Sequence, residues 1–379
     1  MYFRLNPECY FIQGDRFGAI YDLIEGEVYS LNSDETILIK ECENNQTVER
    51  PHPLLNELKS RCLGNYFENK VYIDKLHLGS PLQDYQPGRR PLLGKAFLEI
   101  NNTCNYSCWF CGSQGIHRSQ GCMGCNTWSE EGTGLGLDEW KQVIDNLADL
   151  DCRSLFFTGG DLTLKWEVTR DLVNYASEKL FKSFVIINSK SCSRTIVEDL
   201  KNKAVPIIQT DNVEEIHNGD HYTLVTDGKI ETSNKDISSH LVAVDIVSQD
   251  FTQLPQDLPL ISKKKVLKTD LFRFSRNTKN HPCLANSLTI SWKGEVLPCP
   301  LLREKAFGNV KNQHLYEIFK KNADDIKKLW TMNLGKIQKC KRCEFRYACN
   351  DCRALEETLT GDFYGKKLCR YNPEKGIWI

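Results

Sequence analysis

Hydrophobic and polar residues follow two alternating patterns along the middle of the chain. Six short apolar runs between residues 94 and 248 are predicted strands: KAFLEIN, SLFFTGG, SFVIINS, VPIIQTD, YTLVTD and LVAVDIV. The stretches between the earlier runs have apolar residues at helical spacing, as in LDEWKQVIDNLADL. Strands that alternate with helices predict a mainly parallel sheet covered by helices, so this segment is predicted to be an α/β domain.

The pattern differs in residues 1–76, where three short strands are predicted before two helices. The strands are ECYFIQG, FGAIYDLI and EVYSLN, which the turns GDR and EGE join, and Ser33 or Asp34 is predicted to cap the first helix. Residues 1–75 carry 13 acidic and 8 basic residues, which weakly favours a basic partner. The following residues 77–93 are rich in Pro and Gly and are predicted to be a linker.

Charge and cysteine content bear on which partners the protein binds and in which cellular compartment it works. Lys plus Arg number 49 and Asp plus Glu number 50, so the net charge of −1 gives no argument for nucleic acid as a partner. No apolar run approaches the length of a membrane span, and MYFRLNPECYF lacks the pattern of a secretory signal. The 17 cysteines therefore favour metal clusters in a reducing cytoplasm over a secreted disulfide scaffold.

Three cysteines in EINNTCNYSCWFCGSQG follow the first predicted strand of the α/β segment. Cys104, Cys108 and Cys111 have the spacing C-x3-C-x2-C. Three thiolates can hold a four-iron cluster and leave its fourth iron open to a small molecule. A zinc knuckle or a disulfide loop is the alternative, although zinc sites usually take four protein ligands.

This motif resembles that of the radical S-adenosylmethionine (SAM) superfamily. The resemblance implies a partial (β/α)6 barrel over residues 94–272, in which a [4Fe-4S] cluster binds SAM and cleaves it to a 5'-deoxyadenosyl radical. It also implies SAM contacts at positions that match the family's motifs: Phe110, Gly159, Gly160, Asp161, Asn188, Ser189 and Gln209. Asp211 falls on a polar position of the family's segment after strand 4 and is a candidate catalytic residue.

The sequence departs from the family pattern at two places. Asp161 stands where the family has the glutamate of a Gly-Gly-Glu turn. The helix that usually precedes strand 5 is missing or very short, because only GDH separates IHN from YTLVTD. These departures leave open a degenerate protein that binds clusters and peptide without turning over SAM.

A Gly-rich insert at residues 112–136 carries Cys122 and Cys125 with the spacing C-x2-C. It could supply cluster ligands, present a thiol pair to a substrate or form a lid. Two buried or disulfide-prone thiols are the simpler interpretation. Both cysteines are kept as candidate catalytic residues.

A second group of cysteines lies near the C-terminus: Cys283, Cys299, Cys340, Cys343, Cys349, Cys352 and Cys369. The segment between the first two is predicted to be a hairpin that turns at Lys293-Gly294. The array resembles the SPASM domain over residues 273–379, which implies two auxiliary [4Fe-4S] clusters; a zinc ribbon is the alternative. Four bases interleave these ligands and would offset the clusters' negative charge: Lys341, Arg342, Arg346 and Arg353.

By analogy with the SPASM domain, the cysteines divide into two auxiliary sites. The first auxiliary site would consist of Cys283, Cys299 and Cys352, and the second of Cys340, Cys343, Cys349 and Cys369. The family's additional cysteine before the first position is absent, which leaves a possible open iron in the first site. The last gap is x2 where the family usually has x3.

Residues 1–76 resemble the winged-helix-like peptide-recognition domain of peptide-modifying enzymes, which binds a leader peptide as an added strand. An extension that only packs on the main domain is the alternative. The resemblances together imply a radical SAM maturase that forms a thioether or carbon–carbon crosslink in a ribosomal precursor peptide. They imply SAM, three [4Fe-4S] clusters and an external electron donor such as flavodoxin or ferredoxin. Peptide epimerisation and sulfatase-maturase-like oxidation are the alternative reactions.

Overall fold

The structure is a computed structural model that describes residues 1–78, 93–112, 117–118, 122, 124–215, 220–227, 241–248 and 266–378. The chain divides into two compact units. The first unit comprises Met1–Pro81, Pro259–Cys283 and Trp330–Ile379, and the second comprises Leu82–Leu258 and Leu284–Leu329. Most of the predicted linker at 77–93 lies outside the described residues.

The described strands, in chain order, are β1 (Tyr2–Leu5), β2 (Cys9–Gln13), β3 (Gly18–Asp22), β4 (Glu27–Leu31), β5 (Gly64–Phe67), β6 (Lys95–Asn101), β7 (His117–Arg118), β8 (Ser154–Gly159), β9 (Lys182–Asn188), β10 (Ala204–Thr210), β11 (His221–Thr226), β12 (Leu241–Ser248), β13 (Ser287–Ile290), β14 (Glu295–Leu297), β15 (Gly308–Asn309), β16 (Tyr371–Asn372) and β17 (Ile377–Trp378). The described α-helices are α1 (Ser33–Glu43), α2 (Pro53–Ser60), α3 (Leu137–Asp149), α4 (Trp166–Glu178), α5 (Arg194–Leu200), α6 (Leu271–Lys279), α7 (Leu315–Lys321), α8 (Ala323–Trp330) and α9 (Arg353–Thr360). Within the described ranges, no helix combines the length and apolar character that crossing a bilayer requires.

The second unit contains one large sheet. Its strand order is β15-β14-β13-β6-β8-β9-β10-β11-β12-β7. Strands β6 and β8–β12 run parallel to one another, and β13 pairs in parallel with the other side of β6. All six strands predicted from the apolar runs are present, so the predicted α/β fold with a large parallel sheet is confirmed.

One face of this sheet carries aromatic side chains along the strands and polar side chains at the carboxyl ends of the strands. The rings of Phe97, Phe156 and Phe184 occupy paired positions on neighbouring strands, with centroid separations of 5.0 and 4.6 Å. Because residues at even spacing share a face, Asn188 lies on the face of Phe184 at the carboxyl end of β9. Asn101 ends β6, where the pairing with β8 shifts register between Glu99 and Asn101. Polar side chains therefore gather at the edge where parallel-sheet enzymes bind their ligands.

The connection between β10 and β11 is short, as the sequence predicts. A single 3-10 turn at Val213–Glu215 is described in it, and residues 216–219 lie outside the described ranges. Neighbouring parallel strands usually need a crossover of a dozen or more residues, most often a helix. This crossover lacks room for a long helix, so the fifth strand directly follows the fourth.

The hairpin of β13 and β14 differs in one detail from the prediction. Its connection is residues 291–294, closed by the hydrogen bond from Gly294 N to Ser291 O at 2.8 Å, rather than a two-residue turn. Gly294 does adopt a positive φ of 92°. The prediction found the glycine correctly because only glycine takes this conformation at no steric cost, but it placed the strand ends too close together.

The N-terminal part of the first unit contains the three predicted strands. Strands β2, β3 and β4 form an antiparallel sheet, and a separate two-stranded sheet of β1 and β5, which was not predicted, lies in the same unit. The first helix begins at Ser33 but is capped by Asn32, whose side chain accepts a hydrogen bond from Glu35 N. The core of this part consists of Phe3, Leu5, Cys9, Ile20, Leu31, Ile39, Cys42, Leu55, Leu58 and Leu63.

Aromatic residues join distant parts of the chain within the first unit. Phe274 of α6 contacts Tyr10, Tyr21 and Tyr347, with ring centroids 4.7, 5.2 and 5.7 Å away. The hydroxyl of the fully buried Tyr21 donates a hydrogen bond to Glu344 O at 2.8 Å. The N-terminal sheet and the cysteine-rich C-terminal segment therefore share one core.

Candidate functional site

The three cysteines of the C-x3-C-x2-C motif lie on a loop that begins at the carboxyl end of β6. Cys104, Cys108 and Cys111 are half-buried, and the loop is tightened by a hydrogen bond from Cys111 N to Cys108 O at 3.0 Å. Burial raises the pKa of Cys108, and the Lys190 ammonium is the largest charge that opposes this effect. Lys190 Nζ lies 3.9 Å from Cys108 Sγ, and Asn188 Nδ2 lies 3.8 Å from it. Two donors from the segment after β9 therefore face one candidate cluster ligand.

Cys111 is contacted by residues that immediately follow the cysteine pair of the insert. Its Sγ lies 3.3 Å from Asn126 Oδ1 and 3.2 Å from Thr127 Oγ1, and it accepts a hydrogen bond from Thr127 N at 3.4 Å. Asn126 Oδ1 also accepts from Gly112 N at 2.9 Å. Sequence reasoning missed both residues, and their only signal is their position directly after Cys125.

The segment 124–128 is fixed across the ends of several strands. Its hydrogen bonds include Thr158 Oγ1 to Gly124 O at 3.0 Å, Cys125 N to Gln209 Oε1, Asn126 N to Gly159 O at 2.7 Å and Trp128 N to Asn102 Oδ1 at 2.7 Å. Cys125 is buried, and its Sγ lies 3.9 Å from the same Asn188 Nδ2 that faces Cys108. These contacts favour a positioned thiol over a lid for this part of the insert. Cys122 is half-buried.

The Gly159-Gly160-Asp161 turn packs directly against the start of the cysteine loop. A Cβ at Gly160 would lie 2.2 Å from Thr103 O, and one at Gly159 would lie 2.3 Å from Asn101 O. Asp161 N donates to Thr103 O at 2.8 Å. The buried Asp161 carboxylate accepts hydrogen bonds from the backbone and hydroxyl of Thr163. The glycines are therefore required by backbone approach, and the turn fixes where the cysteine loop begins.

Two buried polar atoms at this edge mark a place for a polar ligand. Gln209 Nε2 and Asn101 Oδ1 have no hydrogen-bond partner among the described residues, and both side chains are buried. A buried polar atom without a partner is costly, so a bound molecule with donor and acceptor groups would stabilise the site. Together with the three thiols, these atoms fit a cluster that carries a polar small molecule on its open iron.

The other residues predicted to contact SAM lie around the same loop. Phe110 is buried and packs on Val225 and Val247 of the last two parallel strands. Asp211 is exposed, and its Oδ2 accepts a hydrogen bond from the indole of the half-exposed Trp109 at 2.8 Å. Ser189 donates its backbone N–H to Gln209 O at 2.8 Å, which extends the pairing of β9 with β10. The structure thus anchors the cysteine loop through Phe110 to β11 and β12 and through Trp109 to Asp211.

A buried ion-pair network centred on Arg303 joins Glu99 of β6 to Glu130. Arg303 donates to both oxygens of Glu99 at 2.7 and 2.9 Å and to both oxygens of Glu130 at 2.8 and 2.9 Å. Its guanidinium lies 4.5 Å from the ring centroid of Trp128. Burial raises the pKa of Glu99 despite the opposing charge of Arg303. Arg303 thus connects the loop after Cys299 to the strand that leads to Cys104.

The cysteines predicted for the second auxiliary site all lie in the first unit. Cys283 and Cys352 belong to the same unit, and Cys299 is a buried residue of the second unit. Burial raises the pKa of the Cys340 thiol to about 12. Within the described ranges, no three His, Cys, Asp or Glu side chains converge on one metal ion. This arrangement is compatible with clusters, because each thiolate of a four-iron cluster binds a different iron.

Comparison with known proteins identifies two domains in this chain. Residues 98–211 match the radical SAM superfamily, and residues 282–344 match the iron–sulfur cluster-binding domain SPASM. An AdoMet-dependent heme synthase from Nitratidesulfovibrio vulgaris is 31% identical over 105 residues, which are 27% of this chain and 28% of the relative. A second one, from Methanosarcina barkeri, is 37% identical over 87 residues, or 23% and 24% of the two chains. The chain therefore spans about a quarter of the length of the curated relatives it matches.

Three solved structures are also similar. BtrN in complex with AdoMet and 2-DOIA is 18% identical, with 69% of this chain and 99% of that chain covered and a TM-score of 0.39. Streptococcus suis SuiB bound to precursor peptide SuiA is 12% identical, with 97% and 100% covered and a TM-score of 0.48. A further structure of Streptococcus suis SuiB is 12% identical, with 96% and 99% covered and a TM-score of 0.49.

Proposed function

Because the chain carries a radical SAM superfamily domain and a SPASM iron–sulfur cluster-binding domain, we propose that it is a radical SAM peptide maturase. Its reaction would remove a hydrogen atom from a ribosomal precursor peptide and close a thioether or carbon–carbon crosslink. The observation that carries the proposal is the loop of three cysteines at the carboxyl edge of the parallel sheet. The unpartnered polar atoms of Gln209 and Asn101 beside it support SAM as the ligand.

The residues of this site divide into ligands, supports and SAM contacts. Cys104, Cys108 and Cys111 would hold the cluster, and Lys190 and Asn188 would donate to the Cys108 sulfur. Bound SAM and clusters would supply the hydrogen-abstracting radical and the electron acceptors for bond formation. Gln209, Asn101, Asp161 and Phe110 are the proposed SAM contacts, and Asp211, which is bound to Trp109, is proposed to hold the loop.

The leader of the precursor peptide would dock on the N-terminal sheet. The outer edge of β4 is already paired at its beginning, where Val28 N donates to Leu267 O and Thr269 N to Gly26 O, both at 2.8 Å. Ser30, the next residue of β4 that faces this edge, is exposed. A leader strand would therefore add at the Ser30 end of β4. Docking there would raise the effective concentration of the core peptide for the active site.

Co-expression with a short peptide encoded beside this chain's gene tests the proposal. The peptide is expected to lose two hydrogen atoms per crosslink, because closing a bond by radical abstraction is a two-electron oxidation. Mass spectrometry measures the loss, and fragmentation shows a ring that resists cleavage. Co-expression with the Cys108→Ala variant should leave the peptide mass unchanged. A peptide that is unmodified next to active enzyme would contradict the proposal.

Epimerisation is the second candidate reaction, and the position of Cys125 favours it. A buried thiol near the cluster loop could return a hydrogen atom to the peptide radical. The resulting thiyl radical would regain one electron and one proton, the electron coming from the external reductant. In heavy water each epimerised residue would then gain one deuterium, and Cys125→Ala would abolish this gain. If the enzyme instead forms crosslinks, the peptide should still lose two hydrogen atoms when it is treated with the Cys125→Ala variant.

A further inference from the structure

A buried cluster of charged residues occupies the C-terminal part of the first unit. At its centre is Asp351, which has no exposed side-chain surface. Arg353 donates from Nε and Nη2 to the two oxygens of Asp351 at 2.6 Å each, and Lys366 Nζ donates to Oδ1. His281 Nε2 lies 3.0 Å from Oδ2. One carboxylate thus faces two buried cations and an imidazole.

A hydrogen bond connects this charged cluster to a cysteine of the first auxiliary site, and chain proximity connects it to the second site. Cys283 N donates to His281 Nδ1 at 3.0 Å, so the ring proton of a neutral His281 lies on Nε2, which donates to Asp351. Asp351 itself lies in the chain between Cys349 and Cys352. A continuous path therefore runs from the backbone of a first-site cysteine, through His281 and Asp351, to Lys366.

Lys366 is held in place as a buried cation. Its side chain is 2% exposed, and the loop before it is fixed by Arg353 Nη1, which donates to Phe363 O and Gly365 O at 2.8 Å. Its partner Asp351 lies two residues after Cys349, and Lys366 itself lies three residues before Cys369, so the cation is held next to the second auxiliary site. Burial raises the pKa of the Cys349 and Cys340 thiols, and the charge of Lys366 opposes this effect. Because screening is weak in a buried site, this interaction is much stronger than that of a surface lysine.

We infer that Lys366 raises the reduction potential of the cluster in the second auxiliary site and so makes that cluster the better electron acceptor. Reduction adds negative charge to a cluster, and a fixed cation beside it stabilises the reduced form. Asp351 keeps Lys366 in position and offsets part of its charge. The inference rests on the proposed function, since it requires that the auxiliary cysteines hold clusters.

The test measures the midpoint potentials of the auxiliary clusters by EPR-monitored redox titration of the reconstituted full-length protein. A background with Cys104, Cys108 and Cys111 changed to Ala removes the signal of the SAM-binding cluster. In this background Lys366→Met is expected to shift one auxiliary signal to a more negative potential. Lys366→Arg, which keeps the charge, should restore most of the original value. Lys336→Met removes an exposed ammonium from the same unit and should shift neither signal.

If the Lys366→Met protein does not assemble its clusters, a second variant still tests the inference. Asp351→Asn removes the negative charge and leaves both cations, so the same signal should shift to a more positive potential. Unchanged potentials in a Lys366→Met or Asp351→Asn protein with both auxiliary signals would overturn the inference, as would shifts of the same sign in these two variants. A wild-type protein without auxiliary signals would instead contradict the proposed function.

Discussion

Cys108→Ala is expected to lower 5'-deoxyadenosine formation from SAM by more than ~100-fold. Removing a residue that only orients a metal-binding side chain typically costs ~10–100-fold in activity, and removing the metal-binding side chain itself should cost more. Two thiolates cannot hold a four-iron cluster in the geometry that leaves one iron open. Of the three ligands, Cys108 is the one that Lys190 and Asn188 both contact. The product is measured by chromatography after anaerobic reconstitution and reduction.

The matched control for this variant is Cys62→Ala. Cys62 is an exposed cysteine in the first unit, outside all three proposed cluster sites, so its loss should leave product formation unchanged. Iron content gives an independent readout. Cys108→Ala should lose about one third of the iron of a protein with three clusters and keep the auxiliary signals. Undiminished 5'-deoxyadenosine formation in Cys108→Ala would contradict the assignment of the site.

Arg303→Met is expected to destabilise the protein by ~3–5 kcal/mol, because it leaves the buried carboxylate of Glu99 without its ionic partner. Glu99 is 3% exposed at its side chain and would keep only the hydrogen bond from Trp128 Nε1 at 3.2 Å. For a unit of this size the apparent Tm should fall by roughly 6–20 °C. The loss should also extend to SAM binding, since Trp128 follows the residues that contact Cys111.

The pH dependence of this loss identifies its cause. Without Arg303 the pKa of the buried Glu99 would rise further above its value in the unfolded chain. A carboxyl whose pKa is raised on folding destabilises the protein increasingly as the pH rises above the unfolded pKa. The Tm difference from wild type should therefore be larger at pH 8 than near pH 5.

Two further variants test the Arg303 prediction. Glu99→Gln combined with Arg303→Met removes the unpaired buried charge and should recover most of the lost Tm. Arg194→Met removes an exposed arginine that pairs with Glu198 in the same unit. A surface ion pair contributes only ~0–1 kcal/mol to the free energy of unfolding, so this variant should change the Tm very little. A pH-independent loss, or no recovery in the double variant, would assign the effect to packing alone.

The sequence predicted the parts of this protein that depend on local spacing. Alternation within KAFLEIN and SFVIINS is a property of the strands themselves, so it predicted both the parallel sheet and the edge where Asn188 lies. The three cysteines follow one strand within a single loop, and their spacing is therefore visible without any tertiary contact. The Gly159-Gly160 pair was found through its match to the family's motif, and the structure shows that the backbone it approaches is that of Asn101 and Thr103.

The contacts between distant segments could not be predicted in this way. Arg303 pairs with Glu99 across 204 positions of the chain, and no local pattern relates them. The contacts of the bases between the C-terminal cysteines could not be predicted from local spacing either. Arg342 pairs with Asp15 at 2.6 Å, and Arg346 donates to Gln13 O at 3.0 Å and to Cys343 O at 2.7 Å. Two bases are buried in this segment: Arg353, which the sequence analysis named, and Lys366, which it missed.

Cys104, Cys108 and Cys111 are proposed to hold a cluster whose fourth iron binds SAM. Pulsed ENDOR on the reduced protein, with SAM labelled by nitrogen-15 at its amino group, can detect this binding. We expect a hyperfine coupling between the label and the cluster, and loss of this coupling in Cys108→Ala. A cluster signal at this site that shows no coupling to the label would contradict this proposal.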